Sequence, residues 1–450
     1  MSIAPSGLTQ VAGRATMASR PRYPGADTSE REEEDSMRKI FTSSALVLTT
    51  IAIVLSLLVP LGMQAQEQTL YSFSTVANGS GPNSLVLGSD GNLYGTASAG
   101  GAHDLGVVFR LAPASGGGWT ESVIYSFTGG PDGAKPNSVI FGADNNLYGT
   151  AYNGGNSNCP SGCGTVFHLV PATGAFSVIH AFKGRSDGHF PIGLTFDATG
   201  NLFGTTFQGG TSDAGVVYQL APATSGPWTE NVLYTFTGGK DGTWPNPRLT
   251  LDAAGNVYGT TQIGGVAPDG YGSAFKLSLV AGVWKRTQIA YFVGGGAQGF
   301  GTYPDFGLIS DSDGNVYGTT SGGGGGDSGN VFRLEPSPLG GRWQFGVLHF
   351  FMGGPQGSVP NTLVRDSVSG NLFATTLTGG STNCQVGCGT IFSLQPATSG
   401  PWPFTLLYSF TGGSDGANPN SMISDSAGNL YGTASGGSSG IGVVFGLPAH

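Results

Sequence analysis

The stretch Gly91-Asn92-Leu93-Tyr94-Gly95-Thr96 decides the fold of this chain, because nearly the same six residues occur seven times. The other copies begin at positions 145, 200, 255, 314, 370 and 428. Successive copies are therefore separated by 54, 55, 55, 59, 56 and 58 residues. Self-similarity at such a constant period is the signature of a repeat architecture.

Two further phrases occur seven times in the same order. A Gly-x-Val-Phe-x-Leu phrase begins at 106, 164, 215, 272, 329, 389 and 442, and an aromatic pair of the Tyr-Ser-Phe type ends at 73, 127, 182, 236, 292, 351 and 410. Each repeat therefore holds four short runs rich in Val, Leu, Phe, Tyr and Thr, separated by Gly, Asp, Asn, Ser and Pro, which is typical of strands. In the first complete repeat we name them A (Ser84–Gly88), B (Asn92–Ala97), C (Gly106–Ala112) and D (Trp119–Phe127).

Four antiparallel strands in a repeat of this length predict one blade of a propeller. Residues 66–450 are thus predicted to form an all-β, seven-bladed β-propeller. The chain opens with a lone D strand, Leu70–Phe73, and ends with A, B and C strands at Ser421–Leu447. We expect the N-terminal strand to pair with the last C strand, because that pairing closes the ring and removes two free sheet edges.

A large aromatic residue recurs between the C and D strands. Trp occupies this place in five repeats, and Phe176 is expected to replace it in a sixth. The five are Trp119, Trp228, Trp284, Trp343 and Trp402. We expect these side chains to fill the gaps between neighbouring blades.

The repeat phrases resemble those of the GloVer (Gloeobacter/Verrucomicrobia-type) tandem-repeat proteins, a family of exported bacterial proteins. The resemblance rests on Gly91–Thr96, Gly106–Phe109 and Tyr125–Gly130 with their copies, and it covers residues 69–447. It implies export and a repeat array, and it implies no catalytic residues.

The composition indicates an exported, mildly acidic protein. The chain has 450 residues, 18 Lys plus Arg against 27 Asp plus Glu, and only 10% charged residues, which argues against a nucleic-acid partner. We expect residues 1–36 to be a polar, disordered extension, and Met37 is an alternative start. Residues 37–65, with the apolar run Ala45–Val59, are predicted to be a signal peptide or a retained signal anchor. The predicted location is periplasmic, cell-surface or secreted, with a membrane contact only if the anchor is retained, and we expect a monomer.

The four cysteines form two Cys-x-x-x-Cys pairs, Cys159 with Cys163 and Cys384 with Cys388. Each pair lies in one of the two longest B–C loops. An even number of cysteines in an exported chain favours disulfides. The alternative is a metal site, but it would need about four ligands, and the two pairs lie on distant blades. We therefore predict two disulfides, no metal and no cofactor.

Any binding site is expected on the face that carries the B–C and D–A loops, which we call the loop face, because its loops are longer. Trp244 lies in a D–A loop, unlike the other five Trp residues. Together with Phe190, Tyr271, Tyr303 and His189 it is predicted to form a surface that binds a carbohydrate, a peptide or a cell-surface partner. An Asp five residues after the strand-final Phe recurs in four D–A loops, at positions 132, 187, 241 and 415, and is predicted to cap a turn.

The sequence gives catalysis little support. No Ser/His/Asp order or glutamate pair stands out, and the histidines on strands, His168, His180 and His349, are expected to be packing or edge residues. The first hypothesis is therefore a non-enzymatic exported binding or scaffold module. The alternative is a hydrolase or lyase with an Asp-based site near the central channel, since such a site is assembled across blades.

Overall fold

The computed structural model describes residues 67–223, 226–265, 270–294, 301–324, 326–337 and 343–449. The predicted extension (1–36) and signal segment (37–65) lie outside these residues. No helix within them is both long and apolar enough to cross a membrane.

The strands form seven antiparallel sheets that follow one another along the chain, which confirms the seven-bladed propeller. The chain begins with β1 (Gln68–Ser72). Blade 1 contains β2 (Ser80–Leu87), β3 (Leu93–Ala99), β4 (Val107–Pro113) and β5 (Trp119–Ser126). Blade 2 contains β6 (Ala134–Phe141), β7 (Leu147–Asn153), β8 (Thr165–Val170) and β9 (Ala175–Ala181). Blade 3 contains β10 (His189–Phe196), β11 (Leu202–Gln208), β12 (Val216–Ala221) and β13 (Thr229–Thr235).

The remaining blades keep this order. Blade 4 contains β14 (Thr243–Pro245), β15 (Thr250–Leu251), β16 (Val257–Ile263), β17 (Ser273–Val280) and β18 (Val283–Tyr291), so its A strand is broken in two. Blade 5 contains β19 (Ile309–Ser310), β20 (Val316–Thr320), β21 (Asn330–Glu335) and β22 (Gln344–Phe350). Blade 6 contains β23 (Ser358–Arg365), β24 (Leu372–Thr378), β25 (Thr390–Leu394) and β26 (Phe404–Ser409). Blade 7 contains β27 (Ala417–Ser424), β28 (Leu430–Ser435) and β29 (Val443–Leu447), and two 3-10 turns occur at Val76–Asn78 and Gly354–Gln356.

The N-terminal strand closes the ring as predicted. Strand β1 pairs antiparallel with β29, from Gln68 opposite Gly446 to Ser72 opposite Val443. The backbone N–H of Phe73 donates to the carbonyl of Gly442 at 3.0 Å, and the Phe73 side chain is fully buried. The first strand therefore supplies the fourth strand of blade 7.

Several residues of the repeated phrase stabilise the blade through specific contacts. In the turn that precedes it, the Asp90 carboxylate accepts hydrogen bonds from the Asn92 backbone and side chain and from the Tyr94 hydroxyl, the last at 2.7 Å. Gly95 faces the ring of Phe109, and a Cβ there would lie 2.4 Å from that ring. The phrase thus fixes the A–B turn and lets the C-strand phenylalanine pack directly against the B-strand backbone.

The threonine that ends the phrase joins a ring of hydrogen bonds around the central channel. Thr96 Oγ1 donates to Asn83 Oδ1 at 2.7 Å, and Asn83 Nδ2 donates to the carbonyl of Pro136 in the next blade at 3.0 Å. The same asparagine-to-proline bond occurs at five of the seven blade junctions: Asn83 to Pro136, Asn137 to Pro191, Asn246 to Pro304, Asn361 to Pro419 and Asn420 to Pro82. Ile192 and Asp305 occupy the asparagine place at the other two junctions.

The A strands begin earlier than the sequence predicted. Strand β2 starts at Ser80, and Pro82 lies inside it opposite Ala97, with a register shift before Ser84. Proline has no N–H to donate, but the A strand is the inner edge of its sheet, where the missing donor breaks no ladder. Pro82, which precedes the predicted start of the A strand, is therefore part of the strand.

The five tryptophans fill blade junctions as predicted. Each packs on the Tyr or Phe of the repeated Gly-Asn-Leu-Tyr-Gly-Thr phrase in the preceding blade. The ring of Trp402, for example, lies 6.1 Å from that of Tyr317. Phe176 also fills a junction, but at a different place. Its ring stacks on that of Tyr125, with centroids 3.9 Å apart. Phe176 lies four residues before His180, which is the repeat equivalent of Tyr125, whereas Trp119 lies six residues before Tyr125. Phe176 and the tryptophans therefore occupy different repeat positions.

Candidate functional site

One residue in each blade adopts a left-handed backbone conformation on the loop face, directly before the A-strand proline. Its φ lies between 50° and 64° in all seven blades. The seven are Gly81, Lys135, Phe190, Trp244, Tyr303, Val359 and Asn418. Each donates its N–H to a carbonyl of the preceding blade, as Trp244 does to Ala214 at 3.0 Å. This inter-blade bond compensates for a conformation that is unfavourable for bulky side chains.

Because the repeat fixes only the backbone at this place, its side chain is free to vary, and in blades 3, 4 and 5 it is aromatic. Phe190 stacks on Tyr152 with ring centroids 4.5 Å apart, and Trp244 stacks on Phe207 at 5.1 Å. Tyr303 meets Tyr271 edge to face at 5.5 Å, and both are more than one third exposed. We call these three pairs the aromatic arc: Tyr152, Phe190, Phe207, Trp244, Tyr271 and Tyr303.

The arc contains four of the five residues that the sequence proposed for binding. The structure brings Tyr271 and Tyr303 together, and it adds Tyr152 and Phe207, which the sequence analysis missed. Tyr152 and Phe207 occupy equivalent positions in their repeats, four residues after the Tyr or Phe of the repeated Gly-Asn-Leu-Tyr-Gly-Thr phrase. A comparison of the seven copies at that place would have found them.

His189, the fifth proposed residue, lies beside the arc. Its ring is 4.5 Å from that of Phe190, and its Nε2 is 3.8 Å from Asp213 Oδ1. It lines a groove of about 670 Å³ together with Lys183 and Arg185, which we call the basic groove. The wall of this groove includes Cys159 and its loop.

Both predicted disulfides are present, Cys159–Cys163 and Cys384–Cys388. Although they lie in loops, Cys163 and Cys388 are fully buried, and they belong to hydrophobic clusters between blades. Each disulfide also lies against a glycine of the adjacent D–A loop, because a Cβ at Gly184 would lie 3.2 Å from Cys159 Sγ. The bridges therefore hold B–C loops against D–A loops.

The described residues that line the central cavity include no carboxylate. It has a volume of about 480 Å³ and is lined by residues of all seven blades that lie in the A strands or directly beside them. Among the described residues that line it, Arg248 is the one ionisable side chain, and its Nη1 donates to the carbonyl of Leu363 in blade 6 at 3.0 Å.

The recurring D-A loop aspartates cap turns, as predicted. Asp132, for example, accepts from the backbone N–H of Thr128 at 2.8 Å and from the hydroxyl of Tyr125 at 3.0 Å. Asp187 accepts a hydrogen bond from the backbone N–H of Lys183 in the same way. The position equivalent to Tyr125, however, is occupied by His180.

This substitution creates a cluster of three ionisable side chains between blades 2 and 3. His180 Nε2 lies 3.7 Å from Asp187 Oδ2 and 3.6 Å from Glu230 Oε2. Burial, and then the charge of Asp187, raise the pKa of Glu230 to about 8. Within the described parts of the chain, these three residues are the one group of His, Cys, Asp or Glu placed to share a metal ion.

A family model described as the Gloeobacter/Verrucomicrobia repeat matches residues 58–160 and 156–384. No curated protein matches the chain. Among solved structures, one similar fold is the extracellular domain of a protein described as the one-component system BT4673 from B. thetaiotaomicron. It shares 13% identity at a TM-score of 0.53, over 86% of this chain and 42% of that chain.

Two further structures have a similar fold. The extracellular domain described as belonging to the hybrid two-component system BT3049, also from B. thetaiotaomicron, shares 15% identity at a TM-score of 0.50, over 85% of this chain and 42% of that chain. A catalytically inactive virginiamycin B lyase from Staphylococcus aureus, with quinupristin, shares 11% identity at a TM-score of 0.51. The match covers 86% of this chain and 99% of that chain. This chain spans less than half the length of the two extracellular domains. At these identities the likeness shows the propeller fold alone.

Proposed function

This chain belongs to the Gloeobacter/Verrucomicrobia repeat family, and from that premise we propose that it is an exported, non-enzymatic propeller that binds a carbohydrate through the aromatic arc. The observation that carries the proposal is that aromatic pairs occupy three consecutive blade junctions at a place where the other blades hold Gly81, Lys135, Val359 and Asn418. The backbone there is identical in all blades, so the repeat itself does not require an aromatic side chain.

The arc offers ring faces suited to sugars. Trp244 is half-buried, with Phe207 covering one side of its indole. The C–H faces of a pyranose pack well on such a ring, and the Tyr271 and Tyr303 hydroxyls can donate to sugar oxygens. A series of platforms along neighbouring blades suits an extended glycan better than a single compact ligand.

The charges beside the arc favour an acidic glycan. Lys183 and Arg185 are exposed in the basic groove, and His189 lies between that groove and Phe190. Lys183 and Arg185 stand out in a chain with a net charge of −9. A sugar carboxylate could pair with them while its ring packs on the arc.

Export is supported by the disulfides. Two buried bridges are typical of a chain that folds in an oxidising compartment. The predicted signal segment at residues 37–65 agrees with this location. A hydrolase or lyase site in the central channel is less well supported, because no carboxylate lines the described part of that cavity.

The proposal is tested with a glycan array that includes uronic acid polymers, followed by titration of the best ligand. We expect Trp244→Ala to weaken binding at least about tenfold while leaving the melting temperature within about 2 °C of the parent. The matched control is Val359→Ala, which changes the same backbone place in blade 6 and should not affect binding. Trp228→Ala should instead lower the melting temperature, because Trp228 packs on Tyr148.

Two results would overturn the proposal. One is an array that finds no glycan ligand, and the other is a Trp244→Ala variant that binds as well as the parent. A parallel peptide array that yields a ligand sensitive to Trp244→Ala would replace the carbohydrate with a peptide.

A further inference from the structure

We propose that His180, Asp187 and Glu230 form a binding site for one divalent transition-metal ion, best fitted to Zn²⁺, which joins blades 2 and 3. The site is separate from the aromatic arc and does not depend on carbohydrate binding. It lies at the outer strands, where β9 of blade 2 meets β13 of blade 3.

The comparison among blades shows that this combination is particular to one junction. Each of six described junctions brings together three positions: the residue two before the strand-final Phe, the residue five after that Phe, and a residue on the next D strand. The described junctions hold Tyr125, Asp132 and Phe176; His180, Asp187 and Glu230; Tyr234, Asp241 and Arg286; His349, Gln356 and Phe404; Tyr408, Asp415 and Glu67; and Tyr71, Asn78 and Glu121. Only the second of these six sets combines an imidazole with two carboxylates.

In two of the other described junctions, direct contacts fill the space. The hydroxyl of Tyr408 donates to Asp415 Oδ2 at 2.8 Å, and in the Phe404 junction the His349 ring stacks on the phenyl ring at 4.7 Å. Replacing tyrosine with His180 removes the hydroxyl that would reach Asp187. The imidazole nitrogen then faces two carboxylates without touching either.

The distances suit a shared ion. Separations of 3.6 and 3.7 Å are too long for hydrogen bonds. Two ligands of a tetrahedral zinc ion, each about 2.1 Å from the metal, lie about 3.4 Å apart. Ligating atoms of all three residues lie within 4.8 Å of one another, so small side-chain movements would bring them into one coordination sphere.

The cluster also has buried polar atoms without partners among the described residues. His180 is only 9% exposed, and neither its Nε2 nor Glu230 Oε1 makes a hydrogen bond. An unpaired buried polar atom is costly, and two neighbouring carboxylates repel each other when both are ionised. A divalent cation would satisfy the imidazole nitrogen and offset the repulsion between Asp187 and Glu230.

The donor set selects the type of ion. A neutral imidazole nitrogen is a ligand for zinc and its neighbours, whereas Ca²⁺ prefers six to eight oxygen ligands and Mg²⁺ usually keeps several waters. Three protein ligands leave one tetrahedral position for water. The alternative is an ion pair in which a protonated His180 lies between the carboxylates, and that arrangement would bind no metal.

The test is isothermal titration of Zn²⁺ into the exported chain after dialysis against a chelator, with melting curves measured in parallel. We expect one ion per chain and a melting temperature that rises with Zn²⁺, with no competition from millimolar Ca²⁺ or Mg²⁺. His180→Ala and Glu230→Gln should each weaken zinc binding at least about 100-fold. Glu230→Gln keeps the size of the side chain, so it provides a folded variant even if His180→Ala is unstable.

The matched control is His349→Ala, which removes a histidine from the same repeat place in blade 5, where Gln356 and Phe404 replace the carboxylates. It should bind zinc like the parent, and so should His189→Ala, which removes the histidine near Asp213. Zinc binding that survives in folded Glu230→Gln, or no zinc binding by the parent chain at micromolar concentrations, would overturn the proposal.

Discussion

Replacing Phe73 with alanine tests whether the N-terminal strand holds the ring closed. Phe73 follows β1, is fully buried, and meets Phe109 of blade 1 edge to face with ring centroids 5.1 Å apart. Truncating a fully buried phenylalanine to alanine costs about 3–5 kcal/mol. Unfolding entropy is about 2.1 cal/mol/K per residue, which gives roughly 0.8 kcal/mol per degree for a domain of about 380 residues. The expected loss in melting temperature is therefore about 4–6 °C.

The chain provides its own control for this variant. Phe410 occupies the same place in blade 6, is equally buried, and meets Phe445 at the same 5.1 Å, but its strand is continuous with its blade. Differential scanning calorimetry should show similar losses for Phe73→Ala and Phe410→Ala. A loss below about 1 °C for Phe73→Ala, beside the full loss for Phe410→Ala, would refute closure by β1. Deleting residues 66–75 should expose the edge of β29 and cause aggregation.

Three further predictions concern single features of the fold. Burial raises the pKa of Asp305, so Asp305→Asn should raise the melting temperature by about 1–2 °C, because the amide removes the cost of burying a carboxylate while its oxygen still accepts from Gln262 Nε2, and calorimetry that shows a loss would contradict this. Replacing both Cys159 and Cys163 with serine should lower the melting temperature, since loop closure alone contributes about 2 kcal/mol and the buried sulfurs are lost as well, and an unchanged melting curve would count against it. Burial raises the pKa of Glu121 to about 7, above the ordinary value of 4.5, so its protonated form stabilises the fold below pH 4.5 and that contribution is lost as the pH rises through 7. Melting temperatures from pH 4 to 9 should therefore fall less steeply in Glu121→Gln than in the parent, and parallel profiles would exclude this role.

The sequence predicted the fold well because its evidence is periodic. Seven copies of one phrase set the blade number, and the incomplete repeats at the ends showed how the ring closes. Strand limits were less accurate: β2 begins four residues before the predicted Ser84, since Pro82 is tolerated at an inner edge. The sequence pattern alone does not show whether the backbone N–H that proline lacks would have taken part in the hydrogen bonds of the sheet.

The candidate sites were harder to predict, because their residues come from different repeats. His180 was interpreted as a packing residue, yet Asp187 and Glu230 approach it from a loop and from the next blade. Trp244 was selected because it is the one Trp outside the repeated structural position, while its stacking partner Phe207 lies on a strand of the preceding blade. Local motifs cannot show such contacts, although aligning the seven copies would place the unusual residues at equivalent positions.

Closure by the first strand has a consequence for the order of folding. Strand β1 is synthesised first, but its partner β29 follows about 370 residues later, since Ser439 and Phe73 in the closing contact are 366 residues apart. At roughly 5–20 residues per second, synthesis of that stretch takes about 20–70 seconds. Throughout this interval blades 1 to 6 can form by local pairing, whereas β1, the outer strand of blade 7, has no partner strand. The emerging protein thus carries an unpaired edge until its last strand appears, and a holdase that covers this edge would protect it during export.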